Sequence, residues 1–167
     1  VFNASVASGL SVAEIAAPAD TISFCLSKGL GAPVGSLLCG PADVIARARR
    51  FRHMTGGGWR QAGLLAAAGH YALDHHVSRL TFDHSHAKQI AEAIESSKVA
   101  RLLVPVETNI VLFETVEGIS DQQLISRFKQ EFGILMAESS PGIIRIVTHL
   151  DVSESDTDQV CKAFADA

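Results

Sequence analysis

A regular alternation of strand-like and helix-like segments after residue 108 is the feature that most constrains how this chain can fold. Strand-like runs at 109–113 and 143–147 alternate with helix-like runs at 121–132 and 153–164. Segments that alternate in this way are typical of α/β layers, in which helices cover a sheet. The sequence therefore predicts a small α/β domain over residues 81–167, with a boundary near residue 80.

Residues 1–80 show a different pattern, in which short strands and glycine-rich turns precede helices. Capping-box spacing in "SVAE" at 11–14 predicts a short helix that ends before Pro18. The short apolar run at 21–26 predicts a buried strand, and 35–39 predicts a second one. Longer helices are predicted, in chain order, at 41–52, 59–77 and 82–95.

Composition and charge limit the classes of protein to which the chain can belong. Hydrophobic residues make up 47% and charged residues 19%, which is enough apolar material for a core and argues against disorder. Glycine, proline, serine or a charge interrupts every apolar run before it reaches the length of a membrane span. The net charge is −4, and the arginines at 41–60 are outweighed by the acidic residues at 114–167. We therefore expect neither nucleic acid nor a membrane as a partner.

Cysteine and histidine residues were considered as metal ligands. Cys25, Cys39 and Cys161 have no metal-binding spacing, and we predict buried, reduced thiols of the kind found in cytoplasmic proteins. His70 and Asp74 have the i, i+4 spacing of one kind of zinc site, but no second pair matches it. We expect no metal site and predict that the clustered histidines lie on a polar helix surface. The cluster comprises His70, His75, His76, His84 and His86.

A single lysine, Lys28, lies between the first predicted strand and the glycine-rich segment "GLGAPVG" at 29–35. Partial loss of hydration at a strand end favours the neutral, nucleophilic form of an amine. Such an amine forms a Schiff base with an aldehyde or ketone, and glycines let a flat ligand approach the backbone. The same residues also fit a structural lysine that pairs with an acid or extends into solvent. From the residues alone, both interpretations stay open.

The segment "SFCLSKGLGAPVGSLLCG" resembles the cofactor-lysine segment of the low-specificity L-threonine aldolases. Three further blocks resemble the same family in the same order, namely "VFNASVASG", "RARRFRHMTGGGWRQAGLLAAAGHYAL" and "IIRIVTHLDV". The resemblance implies a fold-type-I, pyridoxal-phosphate-dependent transferase-like fold. Residues 1–80 would be the remainder of the large cofactor-binding domain, and 81–167 the small C-terminal α/β domain. The chain lacks an initiator Met and opens on a strand-like Val1-Phe2, so we expect an upstream part of a longer protein.

The resemblance also implies roles for four residues. Lys28 would carry pyridoxal phosphate as the catalytic lysine, and Arg60 would help to bind the cofactor phosphate, from a neighbouring subunit. His53 stands where the family commonly has a lysine, so a cofactor contact there is only weakly implied. Arg145, which alternates with isoleucines on a predicted strand, would bind the substrate carboxylate.

The activity implied by the resemblance is the cleavage of L-threonine and L-allo-threonine to glycine and acetaldehyde. The implied assembly is a homodimer or homotetramer with shared active sites. One alternative is a catalytically inactive, truncated or structural fragment of the same fold. Another lyase or a transaminase of this fold is a further alternative, because one fold hosts many chemistries.

Overall fold

The computed structural model describes the chain from Val1 to Ala167. The chain divides into two compact units, Val1–Arg79 and Leu80–Ala167, which are called here the first and the second unit. None of the helices combines the length and the hydrophobicity that crossing a membrane requires.

The first unit contains two short helices, a β-hairpin and two longer helices. They are α1 (Phe2–Ser8), α2 (Val12–Ala16), β1 (Ile22–Cys25), β2 (Ser36–Cys39), α3 (Ala42–Met54) and α4 (Ala62–His75). The capping box at α2 is present, since the Ser11 hydroxyl accepts from Glu14 N–H and the Glu14 carboxylate accepts from Ser11 N–H. The strand-like interpretation of Val1-Phe2 is wrong, because Phe2 begins a helix that continues to Ser8, just before Gly9.

β1 and β2 pair in antiparallel fashion, from Ile22 opposite Cys39 to Cys25 opposite Ser36. The predicted burial of the first strand is wrong. Alternate side chains of β1 are exposed and all of β2 is exposed, so the hairpin has a partly covered face only along β1. Cys25 and Cys39 are consequently exposed thiols rather than buried ones.

The small core of the first unit lies between α4 and the loop that joins the two strands. Its buried members are Leu26, Leu30, Ala32 and Ala72, and half-buried apolar side chains of α1, β1 and the end of α4 pack around them. The rings of Phe2 and Phe24 meet edge to face, with centroids 5.1 Å apart. On α3, the apolar side chains Val44, Ile45 and Ala48 are half-buried, whereas Phe51 is 63% exposed.

The second unit is a four-stranded antiparallel sheet with three helices. Its elements are α5 (Leu80–Ser96), β3 (Ala100–Leu102), β4 (Ile110–Thr115), α6 (Asp121–Phe132), β5 (Ala137–Ser140), β6 (Ile143–Val147) and α7 (Glu154–Asp166). The strand order is β3-β4-β6-β5, and the register of β5 is irregular between Glu138 and Ser140. Phe113, Phe128 and Phe164 are fully buried where the helices meet the sheet.

Candidate active site

Lys28 lies in the loop between β1 and β2, on a tight turn held by backbone hydrogen bonds. Gly31 N–H donates to the Lys28 carbonyl at 2.8 Å, and Ala32 N–H donates to the Leu26 carbonyl at 3.0 Å. Gly31 has φ +69° and Gly35 has φ +133°, which are backbone conformations that favour glycine. The turn buries Leu30 and leaves the Lys28 side chain exposed. The partial burial that the sequence suggested for this amine is therefore absent from this chain.

The inner side of the Lys28 turn packs against α4. A Cβ atom added at Gly69 would lie 2.9 Å from Leu26 Cδ1, so glycine at this position allows the helix to approach the loop closely. At the end of α4, His76 Nδ1 lies 2.6 Å from the Leu30 carbonyl oxygen. The prediction that His76 belongs to a polar helix surface is wrong, because its ring is half-buried and contacts this loop.

His53 and Arg60 flank the glycine triplet that follows α3. A Cβ atom at Gly58 would lie 2.5 Å from His53 Nδ1, and one at Gly57 would lie 2.7 Å from Arg52 Cγ. Side chains from the last turn of α3 therefore pack directly over two of the three glycines. Both His53 and Arg60 are exposed, and Arg60 lies in the turn that precedes α4.

Arg145 lies in the middle of β6, opposite Leu112 on β4 and Ala137 on β5. Its side chain is exposed and lines a cavity of about 760 Å³ in the second unit, together with Met136 and His149. The guanidinium forms no ion pair within the chain, so its planar donors are available to a ligand.

Buried polar groups fix the end of the strand that carries Arg145. Thr148, which follows β6 and is 1% exposed, donates its hydroxyl to the Asp83 carbonyl at 2.6 Å. The Asn109 side-chain amide donates to the Thr148 carbonyl at 2.9 Å, and Thr148 N–H donates to the Asn109 carbonyl at 3.0 Å. Hydrogen bonds between buried groups are costly to break, so this end of β6 is held to both α5 and β4.

His84 and Cys161 are titratable residues whose burial differs from the prediction. His84 was expected on a polar surface, but it is buried, and burial lowers the pKa of its imidazole while the Asp83 carboxylate acts in the opposite direction. Cys161 is half-buried, and burial raises the pKa of its thiol. No cluster of three or more histidine, cysteine or acidic side chains is arranged to hold a metal ion.

Lys28, His53 and Arg60 all belong to the first unit and Arg145 belongs to the second. The structure also reveals polar contacts that the sequence did not predict, made by His76 near Lys28 in the first unit and by Asn109 and Thr148 near Arg145 in the second. These contacts join residues 46, 39 and 65 positions apart, and no local spacing signals contacts of that range.

The α/β fold and the lysine turn do not by themselves identify the protein family. Comparisons with known proteins do. The model of the beta-eliminating lyase family matches residues 1–117, and the chain belongs to this family. Its sequence is 45% identical to the low specificity L-threonine aldolase of Escherichia coli (strain K12) over 96% of the chain and 46% of that protein. The chain therefore spans about half the length of the curated relatives it matches. The predicted resemblance is confirmed.

Solved structures confirm the predicted fold class. A protein of Listeria monocytogenes EGD-E, described as an L-allo-threonine aldolase, superposes with a TM-score of 0.78 at 18% identity, over 99% of this chain and 49% of that one. A PLP-dependent aminotransferase of Streptococcus suis 89-1591 superposes with a TM-score of 0.66 at 12% identity, over 87% and 41%. At these identities the likeness establishes the fold alone, an α/β architecture that corresponds to a little under half of each of those chains.

Proposed function

We propose that the protein of which this chain forms part is a pyridoxal-phosphate-dependent aldolase that cleaves L-threonine and L-allo-threonine to glycine and acetaldehyde. The observation that carries the proposal is the exposed Lys28 amine, presented on a hydrogen-bonded turn directly after β1. Family membership and the name of the Escherichia coli relative support the lyase activity. The Streptococcus suis structure, described as PLP-dependent, supports the cofactor.

The residues of the first unit fit pyridoxal phosphate. The Lys28 amine would hold the cofactor aldehyde covalently, because a primary amine in its neutral form condenses with an aldehyde. Arg60 follows the glycine triplet just before α4, where a guanidinium and free backbone N–H groups both favour a phosphate. His53 would be a weaker phosphate neighbour, because its ring is already packed against Gly58 and its imidazole carries a full charge only when protonated. When bound, the cofactor supplies an electron sink for cleavage of the substrate Cα–Cβ bond.

Arg145 would bind the substrate carboxylate in the cavity of the second unit. Its planar guanidinium can donate two parallel hydrogen bonds to a carboxylate. The exposed side chain lines a cavity of about 760 Å³, and the strand beneath it is fixed through Thr148. In this proposal, residues 1–80 belong to the cofactor-binding domain and residues 81–167 form the small domain.

The decisive experiment is reductive trapping in the full-length protein. Borohydride should fix pyridoxal phosphate to Lys28, as located by peptide mass spectrometry, and Lys28→Ala should abolish both the adduct and threonine cleavage. The matched control is Lys98→Ala, which removes another exposed lysine from a different part of the chain. An adduct at another lysine, or aldolase activity that survives in Lys28→Ala, would overturn the proposal.

A second candidate is that a polypeptide limited to this chain is a catalytically inactive fragment of the same fold. The observation in its favour is the coverage of only 46% of the Escherichia coli relative. Adding pyridoxal phosphate and L-threonine to the 167-residue chain distinguishes the two, because turnover eliminates the inactive fragment. Comparing threonine cleavage with amino transfer in the full-length protein separates an aldolase from a transaminase.

We also propose that the full-length protein is a cytoplasmic homodimer or homotetramer with shared active sites. Large apolar side chains of α3, α4 and the turn between them are more than half exposed, which is typical of a surface that another subunit covers. Free cysteines agree with a reducing compartment.

A further inference from the structure

We infer that His76 is a positioning residue, which fixes the turn that presents Lys28 by donating a hydrogen bond to the Leu30 carbonyl. The inference rests on the proposed function, because it assigns a role toward the lysine that would carry the cofactor. It concerns this chain's own residues and follows from the geometry at the end of α4.

The backbone hydrogen bonds that close the Lys28 turn do not include the Leu30 carbonyl. Glycine occupies positions 29, 31 and 35, and glycine has more conformational freedom than any other residue. Within the turn, the Lys28 carbonyl accepts from Gly31 N–H, so Leu30 is the third of four residues in a closed loop. A displacement of the Leu30 carbonyl would rotate the adjoining peptide planes and would move the backbone of Lys28.

The contact between His76 and the turn is short and has a defined donor. His76 Nδ1 lies 2.6 Å from the Leu30 carbonyl oxygen, and the residues are 46 positions apart. A carbonyl oxygen can only accept, so Nδ1 must carry the proton in this arrangement. The imidazole therefore donates here whether or not its second nitrogen is also protonated.

The backbone at His76 is itself well anchored. His76 N–H donates to the Ala72 carbonyl at 2.9 Å, which makes the residue the C-terminal cap of α4. The ring also meets the Tyr71 ring edge to face, with centroids 5.5 Å apart. α4 thus holds the backbone of His76 in place, and the hydrogen bond restrains the Leu30 carbonyl relative to α4. Apolar packing of Leu30 alone would restrain its depth but not the direction of its carbonyl.

Three variants of the full-length protein test this inference. His76→Leu keeps an apolar group of similar size but removes the donor, whereas His76→Asn places an amide N–H near the position of Nδ1. His75→Leu is the matched control, since His75 is the neighbouring histidine, is exposed and packs against the same Tyr71 ring.

The first measurement is amide hydrogen exchange of residues 27–33 in cofactor-free protein. Exchange should be about fivefold faster in His76→Leu, as expected for the loss of one hydrogen bond. The second is the rate at which added pyridoxal phosphate becomes trappable on Lys28, which should fall about tenfold because a misplaced amine reacts slowly. His76→Asn should restore both quantities to within about twofold of the parent, and His75→Leu should match the parent.

Parent-like exchange and attachment in His76→Leu would overturn the inference. So would a failure of His76→Asn to restore either quantity, because ring packing rather than the hydrogen bond would then be responsible. If the parent protein forms no adduct on Lys28, the proposed function fails instead. The exchange measurement still decides in that case whether His76 holds the turn, since it needs no cofactor.

Discussion

At the scale of single residues, Arg145 combines a free guanidinium with a firmly held backbone. Its side chain points into an open cavity, whereas three residues later Thr148 is buried and bonded to the Asp83 and Asn109 carbonyls. A binding group on a rigid strand loses little conformational entropy when a ligand binds. Less of the free energy of each hydrogen bond is therefore offset by that loss.

The first prediction at this scale concerns Arg145→Lys in the full-length enzyme. The substitution keeps the charge but removes the planar pair of donors, so KM for threonine should rise about tenfold. The thermal midpoint should stay unchanged because the side chain is exposed and unpaired. Arg101→Lys is the control, since Arg101 is also an exposed strand arginine but is paired with Glu114 at 2.6 Å. An unchanged KM in Arg145→Lys would contradict the assigned role.

The local setting of Lys28, a short strand on one side and glycines on the other, made it a candidate, and the family resemblance rather than this setting implied its cofactor role. The sequence did not identify the environment correctly, since the exposure of Lys28 and Cys25 depends on what covers a two-stranded sheet. The contact between His76 and the Lys28 turn was not predicted, for a related reason. The role of His76 depends on a carbonyl 46 residues away, and no spacing rule encodes that encounter.

At the scale of elements, helices with complete local end signals were predicted best. α6 begins after Ser120, which exchanges hydrogen bonds with Gln123, and ends at Gly133, so its predicted bounds of 121–132 agree with the structure. The strands β3 and β5 were missed because they are three and four residues long and because "AESS" lacks an apolar alternation. Their pairing partners, rather than their own sequences, make them strands.

A second prediction concerns the capping box of α7. Hydrogen bonds from the Ser153 side chain and backbone hold the pKa of Asp156 below its ordinary value of 3.8. Because the folded-state pKa is the lower one, this stabilisation is present above the ordinary value and is lost as the pH falls through the folded-state value. Ser153→Ala should therefore destabilise the protein near pH 7 and have a smaller effect once the pH has fallen through the folded-state pKa of Asp156.

Denaturant unfolding followed by circular dichroism at several pH values measures this effect. Ser126→Ala is the control, because Ser126 is an exposed serine inside α6 and takes no part in a cap. A destabilisation by Ser153→Ala that does not depend on pH would show that the hydrogen bond from the Ser153 hydroxyl to the Asp156 carboxylate contributes nothing to stability.

At the scale of the whole molecule, the first unit exposes several large apolar side chains that do not pack into its own core. The side chains concerned are between 57% and 78% exposed and lie on α3, on α4 or in the turn between them. They are Phe51, Met54, Trp59, Leu64 and Tyr71. Because the chain spans about half the length of its relatives, such a cluster is expected to be covered in the full-length protein by the rest of the polypeptide or by another subunit.

The third prediction is that Leu64→Glu weakens self-association of the full-length protein. Leu64 is 78% exposed, so a charge there should leave folding intact, whereas burying that charge against a second copy would be costly. Sedimentation velocity should show a shift toward smaller species, and Val104→Glu, at an exposed loop residue of the second unit, should not cause it. An active parent that sediments as a monomer would contradict the proposed assembly.

The outer strands of the two sheets differ in how readily they would pair with a second molecule of this polypeptide. A regular outer strand offers its free backbone groups to a neighbouring molecule, and an interrupted one offers a poor template. The four-stranded sheet ends on one side in the interrupted β5 and on the other in the three-residue β3, whereas β1 and β2 pair without interruption and each keeps a free flank. Clouding or fibril growth in stored samples is therefore a hazard of the hairpin at 22–39.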